Sequence, residues 1–151
     1  MTAQAYETLI INGEIYKMAY EPLKSYLNQL KIKPDFVAPH TALWRGYIGK
    51  WELKDDKLYL IEFNGIIEGS VNVNINYIFP GQASVFADWF TGEIRIPQGE
   101  LLDYVHGGYQ SVYEKDLFLN FNNGELTGSR TVKNEPKDYI GNNEPEDDLP
   151  F

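Results

Sequence analysis

The chain has 151 residues, with 22 Asp and Glu against 13 Lys and Arg, a net charge of -9, and no cysteine. This length supports one domain with its own hydrophobic core. The lack of cysteine excludes disulfides, thiolate zinc sites, iron–sulfur clusters and cysteine nucleophiles. The first residues show no signal-peptide pattern, and no stretch approaches the roughly 20 apolar residues of a membrane-spanning helix. We therefore expect a soluble, cytoplasmic protein that does not associate with membranes.

The negative charge is concentrated near the C-terminus. Residues 134–151 hold six of the 22 acidic residues, one of the 13 basic residues and three of the 8 prolines. Such a segment buries too little apolar surface to offset the entropy lost on ordering. The sequence therefore predicts a globular β-rich domain over residues 1–133 and a flexible acidic tail over residues 134–151.

The body begins with a hairpin and a helix. Thr8–Ile11 and Glu14–Ala19 flank Asn12-Gly13, the dipeptide favoured in two-residue hairpin turns. Pro22 suits the first turn of a helix. The apolar residues that follow have helical spacing, which predicts an amphipathic helix of about three turns that Pro34 closes. These apolar residues are Leu23, Tyr26, Leu27 and Leu30.

The rest of the body reads as strands. Turn residues Lys54-Asp55-Asp56, Thr91-Gly92 and Asn122-Asn123-Gly124 separate three pairs of apolar-rich runs. The pairs are Gly46–Leu53 with Lys57–Phe63, Val85–Phe90 with Glu93–Ile96, and Ser111–Phe121 with Glu125–Val132. Alternation over Val71–Tyr77 predicts a further strand, and Gly99–Val105 a short helical turn. We expect an α+β, mostly β fold, a twisted antiparallel sheet or partly open barrel with one packed helix.

Residues capable of catalysis are few. His40 and His106 are far apart in the chain and have no second histidine nearby, so we expect neither a metal nor a cofactor. His106, beside Gly107-Gly108, is a candidate general base oriented by Asp103 or Asp88. The alternative, which we favour, is that these glycines form a tight loop and His106 lies on the surface.

Aromatic residues are abundant, with 3 Trp, 11 Tyr and 8 Phe. Trp, Tyr and Arg are the usual anchors of binding surfaces. Trp44, Arg45, Trp89 and Tyr109 are therefore candidates for a recognition surface on the body. The same residue types also fill β-sheet cores, and for Trp51 and Phe63, which lie inside predicted strands, we expect burial.

The C-terminal residues carry the most specific pattern. The sequence closes with Glu144-Pro145-Glu146-Asp147-Asp148-Leu149-Pro150-Phe151. This segment resembles the acidic tip of bacterial single-stranded DNA-binding proteins, in which acidic residues precede an aliphatic residue, Pro and a terminal Phe. The resemblance implies that the tip docks on DNA replication and repair enzymes. It implies partner contacts by six residues: Glu146, Asp147, Asp148, Leu149, Pro150 and Phe151.

The chemistry of the tip suits a docking ligand. The ring of Phe151 fits an apolar pocket, and a carboxylate on that residue suits a two-pronged contact with Arg. Pro150 reduces the entropy lost on docking, and the acidic residues favour a basic rim. There are two alternatives. The tail is an acidic segment that only increases solubility, or the tip was fused by engineering onto an unrelated domain.

The body does not resemble the DNA-binding domain of that family. It lacks the family's first strand and glycine-containing turn, and its basic residues are scattered among carboxylates, whereas single-strand binders use a basic groove. Direct nucleic-acid binding is therefore not expected. Phe86–Phe90 and Tyr104–Tyr113 resemble small bacterial proteins of unassigned function, which implies no mechanism.

The sequence favours a non-enzymatic interaction protein whose tail docks on DNA-maintenance enzymes, recruiting the body or competing with the normal tip. The first alternative is an acidic inhibitor or immunity protein that neutralises a basic nuclease or toxin. A divergent single-stranded DNA-binding protein and an enzyme built around His106 are further alternatives.

Overall fold

The computed structural model describes residues 2–135. These residues form a nine-stranded mixed sheet with two short helices, which confirms the mostly β prediction. Most of the predicted tail, including Glu146–Phe151, lies outside the described residues, so the domain boundary stays a prediction. The elements are β1 (Glu7–Ile11), β2 (Glu14–Met18), α1 (Leu23–Gln29), β3 (Tyr47–Lys54), β4 (Lys57–Ile67), β5 (Val71–Asn74), α2 (Ile75–Ile78), β6 (Val85–Phe86), β7 (Gly92–Asp103), β8 (Val112–Asn122) and β9 (Glu125–Lys133).

Three predicted hairpins are confirmed, and each turns through two residues with positive φ. The φ angles are 52° and 82° at Asn12-Gly13, 52° and 61° at Asp55-Asp56, and 50° and 83° at Asn123-Gly124. This geometry matches the right-handed twist of the adjoining strands, and it favours Asn, Asp and Gly. Local sequence therefore determines the β1–β2, β3–β4 and β8–β9 pairs.

One strand pair departs from the predicted antiparallel arrangement. The strand order is β2-β1-β3-β4-β9-β8-β7, with β5 and β6 also paired with β4. β1 and β3 run parallel, with Leu9 opposite Trp51. A parallel pair needs a crossover of a dozen or more residues, which α1 and the segment 30–46 provide. This pairing joins residues about forty positions apart, so no local turn signal marks it.

The sheet curls so that its two ends approach each other. β9 pairs with β4 only near the hairpin ends, where Lys57 lies opposite Glu125. At the far ends of the strand order, the Ala19 N–H donates to the Arg95 carbonyl at 2.9 Å. The sheet thus consists of two parts, β1–β6 and β7–β9, which meet at a corner and along one seam.

The helix α1 packs its predicted apolar face against the sheet. Leu23 and Leu27 are buried, and Tyr26 and Leu30 pack against the core. The helix ends at Gln29, earlier than predicted, because Leu30 adopts an extended conformation with ψ of 139°. Within residues 2–135, no helix is long and apolar enough to cross a membrane.

The predicted burial of the two strand aromatics is confirmed. Trp51 and Phe63 are 0% and 1% exposed, and both belong to the hydrophobic core. Phe63 contacts Tyr47 and Phe36, so a cluster of rings fills one end of the sheet. About half of the aromatic residues in residues 2–135 thus belong to the hydrophobic core or pack against it.

The strand predicted over Val71–Tyr77 ends early. The alternating pattern continues to Tyr77, but the chain leaves the sheet after Asn74 and forms α2. The Asn74 side chain accepts a hydrogen bond from the Asn76 N–H at 3.1 Å, as an N-terminal helix cap does. Capping by Asn74 thus overrides the alternation.

Two further local predictions were wrong. Val85–Phe90 does not pair with Glu93–Ile96, because the chain turns after Phe86 to bury Ala87 and Phe90 in the core. No helical turn forms over Gly99–Val105, because β7 continues to Asp103 with two irregularities in its pairing with β8. Gly99, at a φ of 83°, lies at the first irregularity.

The two Asn-Gly turns provide a matched pair of substitutions. A Cβ on Gly124 would lie 2.5 Å from the Ala87 carbonyl oxygen, whereas a Cβ on Gly13 would meet nothing within 4 Å. We expect Gly13→Ala to lower the free energy of unfolding by about 1–2 kcal/mol, from backbone strain alone. We expect Gly124→Ala to lower it by about 3 kcal/mol or more, because the collision adds to the strain. Urea denaturation measures both, and equal losses would contradict the predicted close packing at Gly124.

Candidate functional site

A carboxylate buried at the start of β1 organises the candidate site. Glu7 is 1% exposed and lies on the same face of β1 as Leu9. Its Oε2 accepts hydrogen bonds from Arg45 Nη2 at 2.8 Å, Arg45 Nε at 3.2 Å and the Gly49 N–H at 2.9 Å. Its Oε1 accepts from Trp51 Nε1 at 2.9 Å. Both oxygens are thus satisfied, as a buried charge requires.

The strand β3 is shaped around this carboxylate. A Cβ on Gly49 would lie 2.7 Å from Glu7 Oε1 and 2.9 Å from Trp51 Nε1, so this position has room only for glycine. Burial raises the pKa of the Glu7 carboxyl, whereas the guanidinium of Arg45 and the N–H groups of Trp51 and Gly49 lower it. Glu7 and Arg45 therefore form a pair in which neither partner can be removed alone without cost.

A second carboxylate lies on the other side of Arg45. Glu21, just before α1, has its Oε2 3.9 Å from Arg45 Nη1. The Tyr109 hydroxyl donates to the same oxygen at 2.6 Å. Burial raises the pKa of Tyr109 well above its usual value, and the hydrogen bond to Glu21 adds to this effect. At neutral pH the phenol therefore remains protonated and serves as a hydrogen-bond donor.

Glu21, Arg45 and Tyr109 line an open cavity of about 490 Å³, here called the Glu21–Arg45 cavity. That size falls within the range of roughly 300–1,000 Å³ that is usual for small-molecule sites. Its charged and amide side chains are Gln4, Glu21, Lys24, Asn28 and Arg45. Its apolar and aromatic side chains are Leu27, Trp44, Tyr47 and Tyr109. Polar groups converging on a mainly apolar wall are typical of binding sites.

The rim of the cavity is held in place by hydrogen bonds. Gln4 Oε1 accepts from the Trp44 N–H at 2.9 Å, and Gln4 Nε2 donates to the Thr41 carbonyl at 2.8 Å. The Gln4 N–H donates to the Gly108 carbonyl at 2.9 Å. Three separate loops are thereby tied together, and the Trp44 side chain remains 55% exposed at the cavity mouth.

Three of the four residues predicted as a recognition surface meet at this cavity. Trp44, Arg45 and Tyr109 all line it. Trp89 lies elsewhere, in the packing of α1, where its Nε1 donates to the Pro22 carbonyl at 2.9 Å. Its ring stacks on Phe79 with a centroid distance of 5.7 Å. Trp89 is therefore part of the core packing and not of the cavity.

The candidate catalytic residues are not brought together. His106 is exposed and contacts the ring of Tyr104 edge-on, with centroids 4.7 Å apart. Asp88 is exposed in the turn after β6, on a different part of the chain. Within residues 2–135, no hydrogen bond or ion pair joins His106 to Asp103 or Asp88. Gly107 and Gly108 lie in a turn closed by a hydrogen bond from the Gln110 N–H to the Gly107 carbonyl, with His106 on the surface beside it.

No metal-binding cluster is found in the described part of the chain. Among residues 2–135, no group of three or more His, Asp or Glu side chains is placed to hold a metal ion. His40 is exposed in the loop between α1 and β3.

Comparison with known proteins gives no relative to this fold or site. No protein-family model matches the chain, and no match is found among curated proteins or solved structures.

Sequence reasoning missed the two carboxylates of the site. Glu7 directly precedes the predicted strand Thr8–Ile11 and falls in the inward-facing phase of Leu9, and this acid in an apolar phase was the available signal. Glu21, beside the helix-starting Pro22, carried no such signal. Their partner, Arg45, lies 38 positions from Glu7 in the chain, so only the folded structure shows the pairing.

Removing the buried charge tests the structural role of Glu7. We expect Glu7→Gln to lower the free energy of unfolding by about 3–5 kcal/mol, because it leaves the Arg45 guanidinium buried without its counter-charge. The NH2 group introduced by the substitution would also lie against one of the N–H donors that bind the Glu7 carboxylate. Exposed Glu68 is the matched control, and Glu68→Gln should leave the urea midpoint close to that of the parent. A small loss for Glu7→Gln would refute the role assigned to the pair.

The partly buried tyrosines make stability sensitive to alkaline pH. Burial raises the pKa of Tyr6 to about 12, and neighbouring Tyr113 adds to the shift. Burial also raises the pKa of Tyr47 and Tyr109. Since these phenols ionise more readily in the unfolded chain, their stabilising contribution is complete below about pH 10 and is lost as the pH rises toward 12.

We expect urea midpoints to fall from about pH 10 upward, and Tyr6→Phe to reduce the steepness of that fall. The phenol absorbance of the folded chain, followed over the same pH range, gives the tyrosine titration directly. An unchanged slope in Tyr6→Phe would show that Tyr6 does not contribute.

Proposed function

We propose that this protein is a non-enzymatic interaction protein whose segment Glu146–Phe151 docks on DNA replication and repair enzymes. The observation that carries the proposal is the uninterrupted order Asp147-Asp148-Leu149-Pro150-Phe151, preceded by further acidic residues. This order resembles the tip by which bacterial single-stranded DNA-binding proteins recruit such enzymes. Docking either brings the body to these enzymes or displaces the normal tip from them.

The chemistry of the segment defines the partner. An aromatic ring next to proline suits an apolar pocket, because little conformational entropy remains to be lost on binding. Adjacent carboxylates suit a basic rim, which speeds the encounter and makes binding sensitive to salt. The partner is thus a protein with a small apolar pocket bordered by Arg or Lys.

The charge of the whole chain is compatible with such a partner. Residues 134–151 hold six acidic residues and one basic residue, and three of these acids lie within the segment Glu146–Phe151 itself. The end of β9 is fixed to the body by Asn134, whose side chain donates to the Tyr113 carbonyl at 2.9 Å and to Asp116 Oδ2 at 3.0 Å. A folded body and a separate docking segment suit a recruitment role.

Competition for a known receptor tests this function. A labelled tip peptide of a bacterial single-stranded DNA-binding protein is bound to exonuclease I, and this protein is added as the competitor. We expect displacement by the parent chain and competition weakened at least about tenfold in Phe151→Ala, because the ring that fills the pocket is lost. Raising the salt from about 50 to about 300 mM should weaken competition by the parent.

Residues of the same type outside the segment provide the controls. Asp138→Asn and Pro145→Ala should compete like the parent, whereas Asp148→Asn and Pro150→Ala should compete less well. If Phe151→Ala displaces the peptide as well as the parent does, the docking function is refuted.

The net charge of -9 also supports the alternative of an inhibitor that covers a basic nuclease or toxin. Deleting residues 144–151 distinguishes the two functions. It abolishes partner binding by a docking protein and leaves binding largely intact for an inhibitor that uses the surface of its body.

A further inference from the structure

The Glu21–Arg45 cavity contains a cationic donor that is not satisfied by the fold. The Arg45 side chain is 8% exposed, and its Nη2 donates to Glu7 and to the Ala5 carbonyl. Its Nη1 is buried and has no hydrogen-bond partner among the described residues. The nearest carboxylate oxygen, Glu21 Oε2, is 3.9 Å away, which is beyond hydrogen-bond distance. A buried donor of this kind requires an acceptor oxygen.

Negative charge is available beside this donor. Glu21 Oε2 is occupied by the Tyr109 hydroxyl, but within residues 2–135 no side chain donates to its second oxygen. Lys24, in the first turn of α1, adds a positive charge at the rim. The cavity therefore presents a carboxylate and two cations close together, while the charge of Arg45 is largely balanced by Glu7.

This arrangement selects against simple ions. A lone anion would be attracted to Arg45 and Lys24 but repelled by Glu21. A lone cation would be attracted to Glu21 but repelled by Arg45 and Lys24. A ligand that carries a carboxylate and an ammonium group on neighbouring atoms satisfies both sides at once. The α-amino acid group is the simplest ligand of that kind.

The rest of the cavity accommodates an apolar side chain. Leu27 and Tyr47 are buried at its base, and the Trp44 indole is exposed at its mouth. The Trp44 backbone N–H donates to Gln4, and the exposed Trp44 indole offers a flat apolar surface. A side chain that stacks there would remove the indole from water.

We propose that the Glu21–Arg45 cavity binds a free α-amino acid with a large apolar or aromatic side chain. The ligand carboxylate accepts from Arg45 Nη1 and Lys24, its ammonium donates to Glu21, and its side chain lies against Trp44. The site is independent of Glu146–Phe151, so its failure would leave the proposed docking function untouched.

Calorimetry on the full chain tests the site with L-phenylalanine as the probe. Three related compounds each lack one feature of L-phenylalanine. 3-Phenylpropionate lacks the ammonium group, phenethylamine lacks the carboxylate, and L-alanine lacks the large side chain. We expect L-phenylalanine to bind and each relative to bind at least about tenfold more weakly, because each leaves one buried or apolar group without a partner. No heat with L-phenylalanine, or equal affinity for all four compounds, would overturn the proposal.

Variants assign the contacts. Glu21→Gln keeps an acceptor for Tyr109 but removes the charge, so it should weaken L-phenylalanine binding about tenfold while leaving 3-phenylpropionate unaffected or better bound. Trp44→Ala should weaken L-phenylalanine binding by a similar factor, and its matched control is Tyr104→Ala, an exposed aromatic outside the cavity. Lys24→Gln should likewise weaken L-phenylalanine binding, and its matched control is Lys31→Gln. Urea midpoints confirm that each variant is folded, and L-phenylalanine affinities equal to the parent's in Glu21→Gln and Trp44→Ala would refute the assigned contacts.

Discussion

The ion pair between Glu7 and Arg45 links the parts of this fold that the local sequence does not join. Glu7 lies on β1, and its four hydrogen bonds all go to the segment that leads into and forms β3. These bonds therefore fix the register of β1 against β3, which run parallel. They also require glycine at position 49 and direct the remaining guanidinium nitrogen of Arg45 toward Glu21. The position of the cavity therefore follows from the Glu7 carboxylate, the same buried charge that holds β1 against β3.

Local chemistry made much of the fold predictable. The three tight hairpins follow from residues that tolerate positive φ, and α1 follows from a proline and apolar residues at helical spacing. Predictions failed where a side chain or a distant contact outweighed the local pattern. Asn74 caps a helix in the middle of an alternating run, and the burial of Ala87 and Phe90 breaks what looked like a hairpin. The parallel pairing of β1 with β3 depends on a crossover that no local motif marks.

The sequence allowed several residues of the candidate site to be selected by their type, but it did not show which residues pair with each other. Trp44, Arg45 and Tyr109 could be selected because such residues anchor binding surfaces, and the structure places them around one cavity. Trp89 belongs to the same residue class yet packs against Phe79, since burial depends on long-range packing. The acidic partners of Arg45 could not be selected, because an acid in a strand and an acid before a helix are both ordinary on a surface. The proposed docking role of Glu146–Phe151 is the opposite case, because there the order of a few residues carries the whole prediction.

The corner between β4 and β9 is the boundary between the two parts of the sheet. Few backbone hydrogen bonds cross there, among them Leu58 N–H to the Gly124 carbonyl at 2.9 Å and Leu126 N–H to the Asp56 carbonyl at 2.7 Å. On the other side, the Ala19 bond to Arg95 bridges the seam. The two parts also share one hydrophobic core, to which Ile94 and Ile96 of β7 and Leu119 of β8 contribute. Because β9 leads into residues 136–151, a force applied to the chain beyond β9 reaches β9 and its partner strand β8 before it reaches the rest of the sheet.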